Sequence, residues 1–140
     1  MSQLILDNDL NLRVVLEPIK KWITAQRLHD LRPGERILDD RVPEILLTLK
    51  QPTFVTIDHG FWKQELCNPG YAILYFALRD SDQELLPGLL RSLLRRPEFH
   101  NRASRMGKVA RVGTTRVDYW EFQRPELQQV AWPATRRKRR

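Results

Sequence analysis

Short apolar runs with strand-like residues recur along the chain. The runs LILD, residues 4–7, and TFVTID, residues 53–58, each end at an aspartate. The run YAILYFAL, residues 71–78, carries no charged residue, which is typical of a central strand buried on both faces. The segment KWITAQRL, residues 21–28, has strand-like residues and leads into the turn residues RPGE. The later segment KVARVGTTRVDYWEF predicts two strands around Gly113.

Segments with helical spacing separate these runs. After Asp39, apolar residues recur at the three-and-four spacing that forms one face of a helix: Val42, Ile45, Leu46 and Leu49. The segment SDQELLPGLLRSLLRRP begins with Ser81 and Glu84 at the spacing of a capping box and predicts another helix. The earlier segment LNLRVVLEPI predicts one or two helical turns.

Strands that alternate with helices indicate an α/β fold with a mainly parallel central sheet and helices on both faces. Right-handed crossovers bring the carboxyl ends of parallel strands to one edge, where open sheets bind their ligands. Asp7 and Asp58 each end a predicted strand, and Asp40 begins the helix that follows KWITAQRL. We therefore expect these three carboxylates to converge at that edge.

Three neighbouring carboxylates repel one another unless a proton or a cation compensates them. Mg²⁺ or Mn²⁺ prefers such hard oxygen ligands, and the bound ion can neutralise the charge that develops on a phosphodiester. The grouping therefore predicts nuclease chemistry. Each acid also has a structural alternative. Asp58 with Gly60 can form an ordinary turn. Asp39 is the better N-cap of the helix, because Pro43 lacks the N–H that Asp40 would need.

The composition is that of one ordinary globular domain, since 41% of the 140 residues are hydrophobic and 29% are charged. We expect this domain to span residues 1–123 and a basic, flexible tail to span residues 124–140. Cys67 is the only cysteine, which excludes an internal disulfide and a multi-cysteine zinc site. No apolar run is long enough to span a bilayer and no signal-peptide pattern is visible, so we expect a cytoplasmic protein without membrane contact.

The net charge of +7 is unevenly distributed. Residues 1–90 contain 10 Lys and Arg against 13 Asp and Glu, whereas residues 91–140 contain 14 against 4. A basic half suits the phosphate backbone of RNA, although a solvated charge distribution explains the composition equally well. The chain ends in a candidate nucleic-acid-binding segment, for which a disordered solubilising end is the alternative: Arg136, Arg137, Lys138, Arg139 and Arg140.

The order and spacing of four segments resemble the PIN-like domains found among the toxins of bacterial toxin-antitoxin systems. The segments are LILDNDLN, ITAQRLHDL, LDDRVPEILLTLKQPTFVTIDHGFW and YAILYFAL. They correspond to the family's strand end in Leu-Asp-Glu-Asn, its Ser-Asp-Glu-Glu-Ile helix start, its Val-Thr-Glu-Asp-x-Asp-Phe strand end and its apolar strand. The similarity extends from Leu4 to Arg96, and the step of 18 residues from Asp40 to Asp58 resembles the family's spacing.

The resemblance implies a three-layer PIN-like fold and a metal-dependent endoribonuclease. Position by position, it implies that Asp7, Asp40 and Asp58 bind Mg²⁺ or Mn²⁺ and act in catalysis, with Thr56 beside them. RNA is the implied substrate. A toxin of this kind would be neutralised by an antitoxin protein, and assembly into a homo-oligomer is left open.

The chain departs from the family pattern in two places. Gly60 stands where the second acid of the family's Asp-x-Asp lies, and Asn8 stands where the family has a glutamate. Asp9 lies one position later, and Asp80 follows the YAILYFAL strand on the same edge. Both are candidates for the missing metal ligand.

Two residues close to the end of the strand TFVTID complete the predicted site. His59 can orient RNA or replace a ligand, or it can be an ordinary surface histidine beside a turn. Trp62 is the tryptophan best placed to stack on an unpaired base. Because Gly60 replaces an acid, the alternative function is a catalytically silent PIN-like module that binds RNA or a protein. A response-regulator-like receiver is disfavoured, because Arg79 rather than a lysine follows the YAILYFAL strand.

Overall fold

The computed structural model describes residues 2–132, which form a mixed α/β fold around one seven-stranded sheet. The strands are β1 Leu4–Leu6, β2 Ala25–Arg27, β3 Thr53–Thr56, β4 Ala72–Phe76, β5 Lys108–Val112, β6 Val117–Glu121 and β7 Arg124–Val130. Their order across the sheet is β2-β1-β3-β4-β5-β6-β7. The first five run parallel, whereas β6 and β7 are antiparallel to their neighbours. The predicted mainly parallel sheet is confirmed.

Two strand predictions follow directly from local composition. Strand β4 lies in the middle of the sheet and is buried along its whole length, as its uncharged sequence predicts. Strands β5 and β6 form a hairpin around Gly113, whose N–H donates to the carbonyl of Arg116 over 2.9 Å. Both predictions are confirmed.

Helices connect the parallel strands. In residues 2–132 the α-helices are α1 Glu17–Lys20, α2 Leu28–Leu31, α3 Val42–Leu46, α4 Leu86–Leu93 and α5 Arg102–Arg105. A π-helical segment, Leu12–Leu16, leads into α1, and its cap Asn11 accepts hydrogen bonds from two backbone N–H groups. This confirms the helical turns predicted from LNLRVVLEPI. Helix α5 lies between the leucine-rich segment and β5, where the sequence patterns above predict no helix.

Separate hydrophobic clusters cover the two faces of the sheet, because successive residues of a strand point to opposite sides. On one face Leu6 belongs to a cluster with Ile19 of α1 and Leu90 of α4. On the other face Ile5 belongs to a cluster with Ile45 of α3. Full burial of each such side chain contributes about 1.5–3 kcal/mol. The helices therefore lie on both faces, as the alternation of elements predicts.

The predicted helices begin differently in the structure. The segment after Leu38 starts as a 3₁₀ turn, Asp39–Arg41, and only Val42–Leu46 is α-helical. Neither start has a side-chain cap, so the expectation that Asp39 caps this helix is wrong. Pro43 lies in the first turn of α3, where its missing N–H leaves no helical hydrogen bond unmade.

The long leucine-rich helix is also divided. Residues Asp80–Leu85 form a 3₁₀ segment in which Asp82 leaves helical geometry, and α4 begins only at Leu86. No side chain caps the 3₁₀ segment, so the predicted capping box of Ser81 and Glu84 is absent. The division places α4 with Pro in its first turn, which is the position that a helix tolerates.

The sheet extends past the predicted domain boundary at residue 123. Residues 124–130 form β7, whose backbone pairs with β6, although their weak apolar pattern assigns them to the tail. Pairing supplies the strand with partners that its own sequence does not indicate. The basic residues 136–140 lie outside the described residues. None of the helices in residues 2–132 has both the length and the apolar character needed to cross a membrane.

Candidate functional site

The ends of β1 and β3 bring Asp7 and Asp58 to the same edge of the sheet. These strands are parallel neighbours, with Leu6 opposite Val55. Asp7 follows β1 directly, and its N–H donates to the carbonyl of Val55 over 2.9 Å. Its backbone is therefore held by the sheet itself. Asp58 follows two residues after the end of β3.

Thr56, the last residue of β3, connects the two aspartates. It is fully buried, and its hydroxyl donates to Oδ2 of Asp7 over 2.7 Å. Oγ1 of Thr56 also accepts the N–H of Asp58 over 3.0 Å. Asp58 in turn accepts the N–H of Gly60 at its Oδ1 over 2.9 Å. The structure thus places Thr56 beside the acids, where the resemblance puts it.

Asp7 is a carboxyl group that holds its proton unusually well. Its pKa is raised from 3.8 to about 6, first by burial and then by the negative charges of Asp9 and Asp39. The hydrogen bonds from Thr56 and from the backbone of Asn8 lower the pKa but do not offset burial. A carboxyl with a pKa near neutrality is typical of functional sites.

The segment before α3 contributes Asp39, rather than Asp40, to this group. The pKa of Asp39 is raised by partial burial, by a hydrogen bond shared with the carboxyl of Asp58 and by the charges of Asp58, Asp9 and Asp40. Asp40 is exposed and acts on Asp39 only as a neighbouring charge. The resemblance assigns Asp40 to the metal, but its neighbour Asp39 is the residue that interacts with Asp58.

Asn8 and Asp80 have structural partners. Oδ1 of Asn8 accepts the N–H of His29 at the start of α2 over 2.8 Å. Oδ1 of Asp80 accepts from Nε2 of Gln83 over 2.8 Å. The buried Gln83 also accepts the N–H of Asn11 at its Oε1 over 2.7 Å. Asp80 is thereby joined to the segment that follows β1.

Gln83 supports the acidic group, although the sequence pattern does not identify it as a residue of the site. It lies between charged and apolar residues in a segment read as an ordinary helix start, and no local signal marks it as buried. Its Nε2 also lies 3.4 Å from the carbonyl oxygen of Asp9. The amide therefore positions the backbone that carries Asp9, an exposed acid of the group.

His59 and Trp62 border the acids on the side of β4 and β6. His59 is exposed, and its ring lies edge-on to Tyr75 with centroids 5.6 Å apart. Trp62 is half-buried and packs against Trp120, with ring centroids 6.3 Å apart. Part of its indole thus belongs to the core of this face. Stacking of Trp62 on a base stays a prediction.

The carboxylate oxygens of the group are of the type that a hard divalent cation prefers, but in residues 2–132 the side chains are not placed to hold one. Among residues 2–132, none of the carboxylates of Asp7, Asp9, Asp39 and Asp58 is within ion-pair distance of a Lys or Arg. Four carboxylates without a cationic partner are what Mg²⁺ or Mn²⁺ would compensate. In the same range, no three His, Cys, Asp or Glu side chains are placed so that they could hold a metal ion. Binding would require the exposed side chains of Asp9 and Asp39 to turn toward Asp7 and Asp58.

Gly60 has a structural reason to lack a carboxylate. A Cβ at this position would lie 3.2 Å from Oδ1 of Asp58, the atom that accepts the Gly60 N–H. The backbone N–H of Gly60 therefore helps to fix the orientation of the Asp58 carboxylate. An acid here would crowd the existing carboxylate instead of extending the group.

Comparisons with known proteins do not identify a family. No family model, no curated protein and no solved structure matches this chain. The PIN-like assignment therefore stays a prediction that depends on the sequence segments quoted above.

We expect Thr56→Val to weaken the site while preserving its shape. Valine retains the volume of threonine but removes the hydroxyl that joins Asp7 to the N–H of Asp58. The free energy of unfolding should fall by about 1–3 kcal/mol, the cost of leaving buried polar groups unpaired. Denaturant unfolding at pH 7 measures this change. Thr115→Val, an exposed substitution in the β5–β6 turn, is the matched control. Equal stability of both variants would show that the Thr56 hydroxyl does not hold the site together.

Proposed function

We propose that the protein is a PIN-like, metal-dependent endoribonuclease. The observation that carries the proposal is the group of carboxylates at the carboxyl edge of the parallel strands, where Asp39 interacts electrostatically with both Asp7 and Asp58. Ligands bind at this edge in open α/β sheets. The order of the four sequence segments and the basic second half of the chain support the same conclusion.

The proposed division of roles follows from the contacts of each side chain. Once the exposed side chain of Asp39 turns toward them, Asp7, Asp39 and Asp58 would hold the ion. Thr56 keeps Asp7 and the backbone of Asp58 in a fixed relation. A bound Mg²⁺ or Mn²⁺ supplies an activated water and neutralises charge on the scissile phosphate. Basic residues of the second half attract the RNA backbone without reading its sequence.

Metal binding and RNA cleavage test this proposal together. Metal-free protein is titrated with Mn²⁺ in a calorimeter, and a labelled single-stranded RNA is incubated with the protein in Mn²⁺ or in EDTA. We expect saturable binding and cleavage that occurs only with Mn²⁺. Asp58→Asn should lose both signals, because it removes a ligand charge without changing the side-chain volume.

The control for the loss of charge is Glu126→Gln, which alters an exposed acid on β7 and should behave like the wild type. Cleavage that persists in EDTA, or equal cleavage by wild type and Asp58→Asn, would contradict the proposal. Mn²⁺ binding without cleavage of any RNA would contradict the proposal that the protein is an enzyme.

A second candidate function is a catalytically silent PIN-like module that binds RNA or a protein. It is favoured by Gly60, whose N–H occupies Oδ1 of Asp58, and by the incomplete convergence of the acids in residues 2–132. RNA affinity that is unchanged in EDTA and in Asp58→Asn, together with no turnover, would support it. The antitoxin partner, a homo-oligomeric state and the cytoplasmic location stay predictions from the sequence.

A further inference from the structure

A cavity of about 670 Å³ lies at the opposite edge of the sheet, near the amino ends of the strands. Its wall includes Gln3, which precedes β1, and Gln51, which precedes β3. The three residues of β1 separate Gln3 from Asp7, so the two positions are four residue steps, or roughly 13 Å, apart. The volume lies within the range of small-molecule sites, about 300–1,000 Å³. This cavity is therefore distinct from the acidic group.

Arg105, at the end of α5, forms part of the cavity wall and is 1% exposed. Its Nε donates to Oγ1 of Thr53 over 3.0 Å, and its Nη1 donates to the carbonyl of Phe99 over 3.1 Å. Its Nη2 donates to Oε1 of Gln3. A guanidinium has five N–H groups in a fixed fork. Among residues 2–132, each of its three nitrogens has an acceptor.

The buried charge of Arg105 lacks a compensating anion in the described part of the chain. No ion pair involves it there, and the nearest charge that affects it is Arg102, which has the same sign. Burial, followed by Arg102, lowers the pKa of Arg105 to about 10, so the group remains a cation at neutral pH. A buried cation is ordinarily paired, because leaving it alone is costly. The uncompensated charge of Arg105 therefore favours an anion over a cation in the adjoining cavity.

The surroundings of the cavity favour an anion with an aromatic part. None of the residues that line it is acidic. Arg102 lines it beside Arg105, and its Nη2 donates to the carbonyl of Lys50 over 2.7 Å, which holds the partly exposed guanidinium at the cavity. Lys20 and Lys21 line the adjoining depression, which shares Trp22 with the cavity. The guanidinium of Arg91 lies 5.3 Å from the ring centroid of Trp22, which keeps the indole in place by a cation–π contact. Cations beside an ordered indole are the features that hold a phosphate and a stacked base.

We propose that this cavity binds a nucleotide, with Arg102 on its phosphate, the buried charge of Arg105 behind it and Trp22 against its base. The site does not depend on the acidic group or on a metal. The nucleotide can be free in solution or can be the phosphorylated 5′ end of an RNA, since both present the same phosphate and base.

Binding measured in EDTA tests this site separately from the proposed ribonuclease. The probes are AMP, adenosine, inorganic phosphate and an RNA trinucleotide with or without a 5′ phosphate, each titrated into the full chain by calorimetry. We expect AMP to bind saturably and adenosine to bind at least about tenfold more weakly, since it lacks the group that receives the charged hydrogen bonds. Trp22→Leu should weaken AMP while leaving inorganic phosphate unchanged.

Variants that remove one positive charge distinguish a specific binding site from non-specific attraction of anions to a basic protein. Arg102→Gln should weaken AMP by roughly tenfold, whereas Arg13→Gln, an exposed arginine of the π-helical segment, should not. Arg105→Gln should weaken AMP because the buried charge behind the site is lost, and its thermal unfolding shows whether it folds; if it does not, Arg102→Gln and Trp22→Leu still decide the question. Preference for the 5′-phosphorylated trinucleotide over AMP would assign the site to RNA ends. Equal binding of AMP and adenosine, equal losses in Arg102→Gln and Arg13→Gln, or no binding of any probe would overturn the proposal.

Discussion

Replacing Asp7 by asparagine is expected to stabilise the protein at pH 7 and to abolish metal-dependent RNA cleavage. The carboxyl is partly buried, close to two other negative charges, and its pKa of about 6 lies above the 3.8 of an ordinary aspartate. Ionising it in the folded protein is therefore unfavourable. Asparagine has nearly the same volume, can accept the Thr56 hydroxyl in the same way and carries no charge.

The pH dependence of this effect follows from proton binding. Between about pH 4 and pH 6 the folded protein keeps the Asp7 proton while the unfolded chain releases it. Because the folded state binds more protons, the contribution of Asp7 to stability decreases as the pH rises through this range and is lowest above pH 6. The difference between the two pKa values corresponds to at most about 3 kcal/mol. Asp7→Asn should remove this dependence, and denaturant unfolding in EDTA from pH 4 to pH 8 measures it.

The same substitution should remove function. A ligand charge would be lost, so cleavage in Mn²⁺ should fall by at least roughly a hundredfold, the upper end of what is found for residues that only support metal ligands. Glu65→Gln, at an exposed acid away from the group, should change neither stability nor cleavage. A less stable Asp7→Asn protein would contradict the cost assigned to the buried carboxylate. A stabilised variant with full activity would show that Asp7 is not part of a catalytic site.

Asp39→Asn is expected to lower RNA cleavage by about ten- to a hundredfold, whereas Asp40→Asn should leave it within about twofold. Both side chains are exposed, but the carboxyl of Asp39 shares a hydrogen bond with Asp58 and is affected by the charge of Asp9, while Asp40 acts only as a charge beside Asp39. The two variants remove the same charge from adjacent positions and are therefore controls for each other. Initial cleavage rates and Mn²⁺ affinities measure the difference.

A double-mutant cycle between Asp39 and Asp58 makes this prediction sharper. Residues in direct contact give non-additive effects, so the double Asn variant should lose much less than the product of the single losses. Asp40 and Asp58 should behave additively. The opposite ranking, with Asp40→Asn inactive and Asp39→Asn normal, would favour the register implied by the PIN-like resemblance over the contacts of the structure.

The sequence predicts the regular secondary-structure elements better than any other feature of the fold. Uncharged or alternating runs predict β1, β3 and β4 because a parallel strand buried on both faces must be apolar. Helix starts were predicted less well. Asp39 and Ser81 carry capping side chains, yet neither caps, because 3₁₀ turns begin there and Pro43 and Pro87 set where the α-helices start. Strand β7 was missed because its partner β6, rather than its own pattern, orders it.

Buried polar groups were the hardest features to predict from the sequence. Gln83 and Arg105 both lie in segments rich in polar residues, where a buried side chain looks like an exposed one. Their partners are distant in sequence: Asn11 for Gln83, and Gln3 and Thr53 for Arg105. Only packing brings such partners together, so no local spacing could indicate either the support of the acidic edge or the buried cation at the opposite edge.

The sequence by itself determined the α/β class, the central strand β4 and the edge at which Asp7 and Asp58 emerge, because strand composition and the direction of parallel strands decide these features. The tertiary structure alone decided which neighbour, Asp39 or Asp40, joins them. Consecutive residues of a 3₁₀ turn point about 120° apart, so only one can face the sheet edge. Packing of α3 through Ile45 against the sheet fixes that rotation and selects Asp39.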